Sequence, residues 1–166
     1  MLSKTLQDAM NEQIKNELYS AYIYLAMAAN FEASNLPGFG HWMRLQAQEE
    51  VEHAMKFFEF INSRGGRVTL KAIDQPPFEW KTPLEAFQNA YEHEQKVTGM
   101  INNLYAIALK ENDYPSQIML QWFIKEQVEE EKHASEIVEQ IKMIDARGSA
   151  MLYLDRQLGK RSAGGD

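Results

Sequence analysis

Glutamates stand where apolar side chains are expected. In the first long segment a helical stripe runs Leu6, Met10, Gln13, Glu17, Ser20, Tyr24, Met27, Phe31, with Glu17 in its middle. The second stripe, Met43, Ala47, Glu50, Ala54, Phe57, Ile61, holds Glu50, with His53 one turn further along. The third, Phe87 to Ala108, holds Glu94, and the fourth, Leu120 to Ile144, holds Gln127 and Glu130. Unpaired buried carboxylates are costly and must be neutralised by protons, basic partners or metal. No lysine or arginine lies in these stripes. Metal is the economical solution. Glu17 and Glu50 are 33 residues apart, as are Glu94 and Gln127, so antiparallel hairpins of equal register put both pairs at one height. Carboxylates from four helices, with a ligand pair spaced i, i+3, describe a carboxylate-bridged dinuclear site. Oxygen-rich ligation with one imidazole suits iron or manganese.

Glu130-Glu131-Lys132-His133 also spells Glu-x-x-His and would supply a second histidine. That register changes the hairpin spacing to 36, and at ~100° per residue it leaves His133 about 80° from the centre of the stripe. Glu130 is therefore assigned to the metal, Gln127 beside it, and His133 to the flank.

The elements that must position these residues follow from the breaks. Glycine and proline cluster at Ser34-Asn35-Leu36-Pro37-Gly38, from Gly65 to Pro77, at Asn112-Asp113-Tyr114-Pro115, and at Gly148. Helices are predicted over 4–34, 38–64, 83–111 and 115–147, with a short apolar fifth over 149–158. Thr82-Pro83-Leu84-Glu85 reads as an N-cap, a proline at the first helical position and a capping-box glutamate. The first and third turns are short, whereas the linker from Gly65 to Lys81 must cross the bundle. Extended, ~16 residues reach about 50 Å, against about 45 Å for a 30-residue helix. The fold class is all-α: a four-helix bundle with one long crossover between helices two and three, plus a fifth helix. One domain spans 1–158, and the tail 159–166 is expected to fray.

Composition narrows the function. The 166 residues include no cysteine, which excludes thiolate metal sites and thiol nucleophiles. The formal charge of −7 argues against binding nucleic acid or anionic membranes. The N-terminus has no apolar targeting region, and a cytoplasmic location is expected.

Glu17, Tyr24, Glu50-Val51-Glu52-His53, Glu94 and the run from Trp122 to Lys132 resemble a bacterial non-haem ferritin over nearly the whole chain. The resemblance implies a homo-oligomeric cage of 24 subunits that oxidises Fe(II) with dioxygen or hydrogen peroxide and stores ferric mineral. It implies a ferroxidase centre with Glu17, Glu50 and His53 at one iron, Glu50 bridging, Glu94 and Glu130 at the second, and Gln127 beside it. Tyr24 becomes a hydrogen-bond partner or electron donor to the centre, or else a core aromatic whose hydroxyl finds a carboxylate. Glu49, Glu126 and Glu129 become a third iron site sharing Glu130, although such acidic runs also form solvated faces. Val51 stands where bacterioferritins carry a haem-ligating methionine, so no haem is expected. His41 and His93 are assigned to surface or interface, Trp122 to packing, and Glu111 and Asp113 to an iron channel or to capping. Two rivals remain: a di-iron enzyme that stores no iron, and a metal-free bundle, which leaves four acids without counter-charge.

Overall fold

The computed structural model describes residues 1–144 and 148–164. These form α1 (Lys4–Ala33), α2 (Pro37–Ser63), α3 (Pro83–Lys110), α4 (Tyr114–Met143) and α5 (Ser149–Leu158), with no strand among the described residues. The all-α bundle with one long crossover and a short fifth helix is the architecture expected from the sequence. The helix starts are written locally. Ser3 accepts from the Leu6 amide at 3.1 Å, and Asp113 accepts from the Ser116 amide at 2.9 Å. Thr82 accepts from the Glu85 amide at 3.1 Å, and Pro83 occupies the first turn. Glu85 reaches back to the amide of Lys81 at 2.7 Å, one residue earlier than a capping box requires.

Three of the helix ends use one device. After α1, the amides of Asn35 and Leu36 bond to the carbonyls of Glu32 and Phe31; after α3, those of Asn112 and Asp113 bond to Leu109 and Ala108. After α2, Gly65 and Gly66 bond to Asn62 and Ile61. These are Schellman turns, and each needs a left-handed residue: Asn35 at φ 58°, Asn112 at 54° and Gly65 at 70°. α4 ends earlier than its predicted span, because Ile144 is already extended (φ −112°, ψ 151°); positions 145–147 lie outside the described residues.

The crossover is tied along α1. Asn11 donates to the Arg67 carbonyl at 3.0 Å and accepts from the Thr69 amide at 2.9 Å. At the far end Trp80 is buried, its indole N–H donating to Asn89 at 3.0 Å. α5 docks on the start of α2, where Leu36 supplies no side-chain cap. Buried Asp155 does so instead, accepting from the Phe39 amide at 2.9 Å. The approach is close enough that a Cβ on Gly38 would sit 1.7 Å from the Asp155 carbonyl oxygen.

The apolar interior comes in two parts. One gathers Met27, Phe31, Phe39, Trp42, Phe87 and Ile141, with aromatic centroids 5.2 to 5.7 Å apart. The other gathers Leu6, Met10, Phe57, Ile101, Leu120 and Phe123, with Phe57 and Phe123 stacked at 4.3 Å. Between them, in sequence along every long helix, lies a belt of buried polar side chains.

Candidate metal centre

Each long helix brings a carboxylate to this belt: Glu17, Glu50 and Glu94 are 1% exposed and Glu130 is 6% exposed. One atom from each of Glu17, Glu50 and His53 lies within 4.8 Å of the others, and the same holds for His53, Glu126 and Glu130. His53 is thus common to two groupings. Its Nδ1 lies 3.3 Å from Glu50 Oε2, as the i, i+3 spacing on α2 requires, and its Nε2 lies 4.0 Å from Glu126 Oε1. Trp122 and Phe123 wall the ring edge-on at 5.5 and 5.9 Å. Burial, with Lys56 adding to it, lowers the His53 pKa to about 4, so the imidazole is neutral near pH 7 with a lone pair to offer.

The carboxylates have donors, but too few. Gln13 donates to Glu17 Oε1 at 2.8 Å, whereas Glu17 Oε2 is buried with no partner. Tyr24 donates to Glu94 Oε1, and Gln127 donates to Glu94 Oε2 at 3.1 Å and to its backbone carbonyl at 3.2 Å. Gln46 donates to Glu130. Burial raises the pKa of Glu17 to about 7. Burial, together with the charge of neighbouring glutamates, pushes Glu50 and Glu130 well above the carboxylate range, and Glu94 is raised mainly by burial. Burial and the Glu94 charge raise Tyr24 in turn, keeping the phenol a donor. An orphaned carboxylate oxygen, mutually repelling acids and a neutral imidazole suit a hard divalent cation.

Comparison with known proteins decides the family. The ferritin-like domain family matches residues 7–144, and the bacterial non-heme ferritin of Bacteroides fragilis is 43% identical over 161 residues, 97% of this chain and 100% of the relative. The chain belongs to the ferritin family. The bacterial non-heme ferritin of Staphylococcus aureus is 35% identical over 162 residues, 98% of each chain. Among solved structures, the open-pore ferritin of Archaeoglobus fulgidus superposes with a TM-score of 0.96 at 48% identity, over 98% of this chain and 100% of that one.

Within this ferritin chain the structure gathers Glu17, Glu50, His53 and Glu130 around the belt. Glu94 lies in neither tight grouping, its carboxylate being held by Tyr24 and Gln127. Gln127 and Glu130 are buried, whereas His133 is half-buried at the wall of an adjoining cavity of about 500 Å³. Glu49, Glu126 and Glu129 line that cavity too, the first two half-buried and Glu129 exposed.

The expectation for His93 needs correction, whereas Asp113 takes the capping role already weighed for it. His93 has partners within the chain: the Ser20 hydroxyl 2.7 Å from its Nε2, and Tyr24 edge-on at 6.3 Å. Burial, with Lys96, lowers it to about 4. His41 Nε2 lies 2.8 Å from the Arg161 carbonyl oxygen. Asp113 caps α4 and takes a bidentate pair from Arg64 at 2.9 and 2.8 Å, which holds it well below the carboxylate range, and Glu111 accepts from Ser3 at 2.5 Å. Trp122 packs on His53 as expected and also carries Lys56 4.3 Å above its ring. Sequence reasoning missed Gln46 and Arg161. Gln46 sits one residue off the apolar stripe of α2, and Arg161 lies in the tail expected to fray.

Proposed function

We propose that this ferritin stores iron, oxidising Fe(II) at an intra-subunit di-iron ferroxidase centre and laying down ferric mineral within a cage of 24 subunits. The observation that carries the reading is the belt itself. Carboxylates from three helices gather about one neutral imidazole, α3 brings Glu94 to the same buried belt, and Glu17 Oε2 is buried with no hydrogen-bond partner.

Iron is the substrate, and the residues act as follows. Glu17, Glu50 and His53 take one Fe(II), with Glu50 shared toward the second, and Glu94 and Glu130 hold that second iron. Gln127 and Tyr24 fix the Glu94 carboxylate by their hydrogen bonds, so it is presented in one orientation. Anionic oxygen donors stabilise Fe(III) over Fe(II). Each of two irons gives one electron to dioxygen, which leaves as hydrogen peroxide after taking up two protons; peroxide can serve as oxidant in its place. Glu49, Glu126 and Glu129, with Glu130 shared, form a third iron site in the adjoining cavity. A cytoplasmic setting, where Fe(II) is available, suits this chemistry.

The test is Glu50→Ala in the assembled protein. Initial Fe(II) oxidation should fall by about a hundredfold, on the order of 3 kcal/mol of lost barrier reduction, with particle size unchanged. Oxidation at the unaltered rate would overturn the assignment of Glu50. Iron retained after desalting from aerobic excess Fe(II) tests storage itself. Loading far above three per subunit on a large particle supports a store, and loading that stops at two on a small oligomer would indicate a di-iron enzyme.

A further inference from the structure

Beyond α5 the chain turns back over α2 and lays one side chain across the acidic cavity. His41 Nε2 sits 2.8 Å from the Arg161 carbonyl oxygen, and the Arg161 guanidinium lies 4.9 Å from the Trp42 ring centroid. One guanidinium nitrogen donates to Gln46 Oε1 at 2.7 Å and the other to Glu49 Oε2 at 2.7 Å. Gln46 is fully buried, and its amide donates onward to Glu130. A single cation thus touches an acid of the cavity directly and, through one amide, a carboxylate of the belt. Glu49, Glu126, Glu129 and Glu130 face the cavity, and among its described lining residues the lysine and arginine, Lys160 and Arg161, both belong to the tail.

We propose that Arg161 is a resident counter-cation of this cavity, which iron arriving there must displace, so that the C-terminal segment sets the affinity of the third site and is released when it fills. The inference rests on the third-site reading given above. Its physical basis is competition for one atom. Glu49 Oε2 is the oxygen Arg161 occupies, and a divalent cation bound by Glu49 would stand within a few ångströms of the guanidinium. Two cations at that separation repel strongly even with solvent nearby. The guanidinium must swing away or the metal binds weakly. Swinging is feasible because the segment leaves α5 at Gly159 and is latched to α2 by few bonds. When Arg161 leaves, Gln46 loses the partner that aligns its amide on Glu130, so filling the cavity is also felt at the belt.

The experiment is an anaerobic Fe(II) titration of the assembled metal-free protein by calorimetry, as wild type and as Arg161→Gln, with hydrogen exchange of residues 159–164 read at two and at three equivalents. The third equivalent should bind about tenfold more tightly to R161Q, with the first two unchanged. In the wild type the tail amides should exchange faster once the third equivalent is bound. A third event of equal affinity in both proteins, or a tail whose exchange ignores it, overturns the inference and leaves the third site standing. No third event in either protein removes the third site, and this inference with it.

Discussion

Glu17 shows what burial does to a carboxylate with a vacant acceptor. Its pKa rises from the ordinary 4.5 to about 7, and Glu50, Glu94 and Glu130 are displaced the same way. A folded-state pKa above the unfolded value means that the folded state binds the extra proton between the two. Stability is then greatest below the lower value and declines as pH rises through the upper one. The melting temperature of the metal-free protein should fall from about pH 5 to pH 8 by on the order of 5 °C. Glu17→Gln, which cannot ionise, should flatten that slope, and so should loading with Zn(II), which makes the ionised form the useful one. A melting temperature that climbs over this window in the metal-free wild type would contradict the burial argument. Acids of this kind were legible in the sequence because each interrupts an apolar stripe. Gln46 and Arg161 were not, because nothing local to 46 or 161 says that a residue beyond the last helix will return to a glutamate in the second.

At the scale of helices, local chemistry wrote most of the fold. Ser3, Thr82 and Asp113 start helices; Asn35, Gly65 and Asn112 end them in the left-handed conformation. Short turns against one long linker then gave the topology. The place where α5 docks was out of reach of that reading, because it depends on a contact between residues 116 apart, the Phe39 amide and the Asp155 carboxylate. Asp155→Ala leaves that buried amide without an acceptor and should cost about 2 kcal/mol. The measurable signature is local: amides of α5 and the first turn of α2 should exchange faster while those at the middle of α1 and α3 keep their protection. Gly38→Ala attacks the same contact from the other side and should give the same pattern. Uniform loss of protection across the bundle in D155A would instead make α5 part of the main cooperative unit.

For the whole molecule, the surface carries the corresponding question. Tyr22 and Leu25 on α1 and Leu70, Ile73 and Phe78 on the crossover are large apolar side chains left exposed in the single chain, and the crossover runs along α1 between its ties at Asn11 and Asn30. Apolar area of this kind is what contacts between proteins bury, and in the proposed cage other copies would cover it. In the proposed cage, Leu25→Glu should shift the particle to smaller species in sedimentation while helix content is retained; an unchanged particle would move the assembly contacts elsewhere. Inside, the belt that parts the two apolar clusters has a consequence of another kind. Acids whose pKa values are driven up by burial hold protons when empty, and metal takes those same oxygens. In the proposed centre, filling is therefore an ion exchange: iron enters as protons leave, so that charge brought in by the metal is offset by charge carried out.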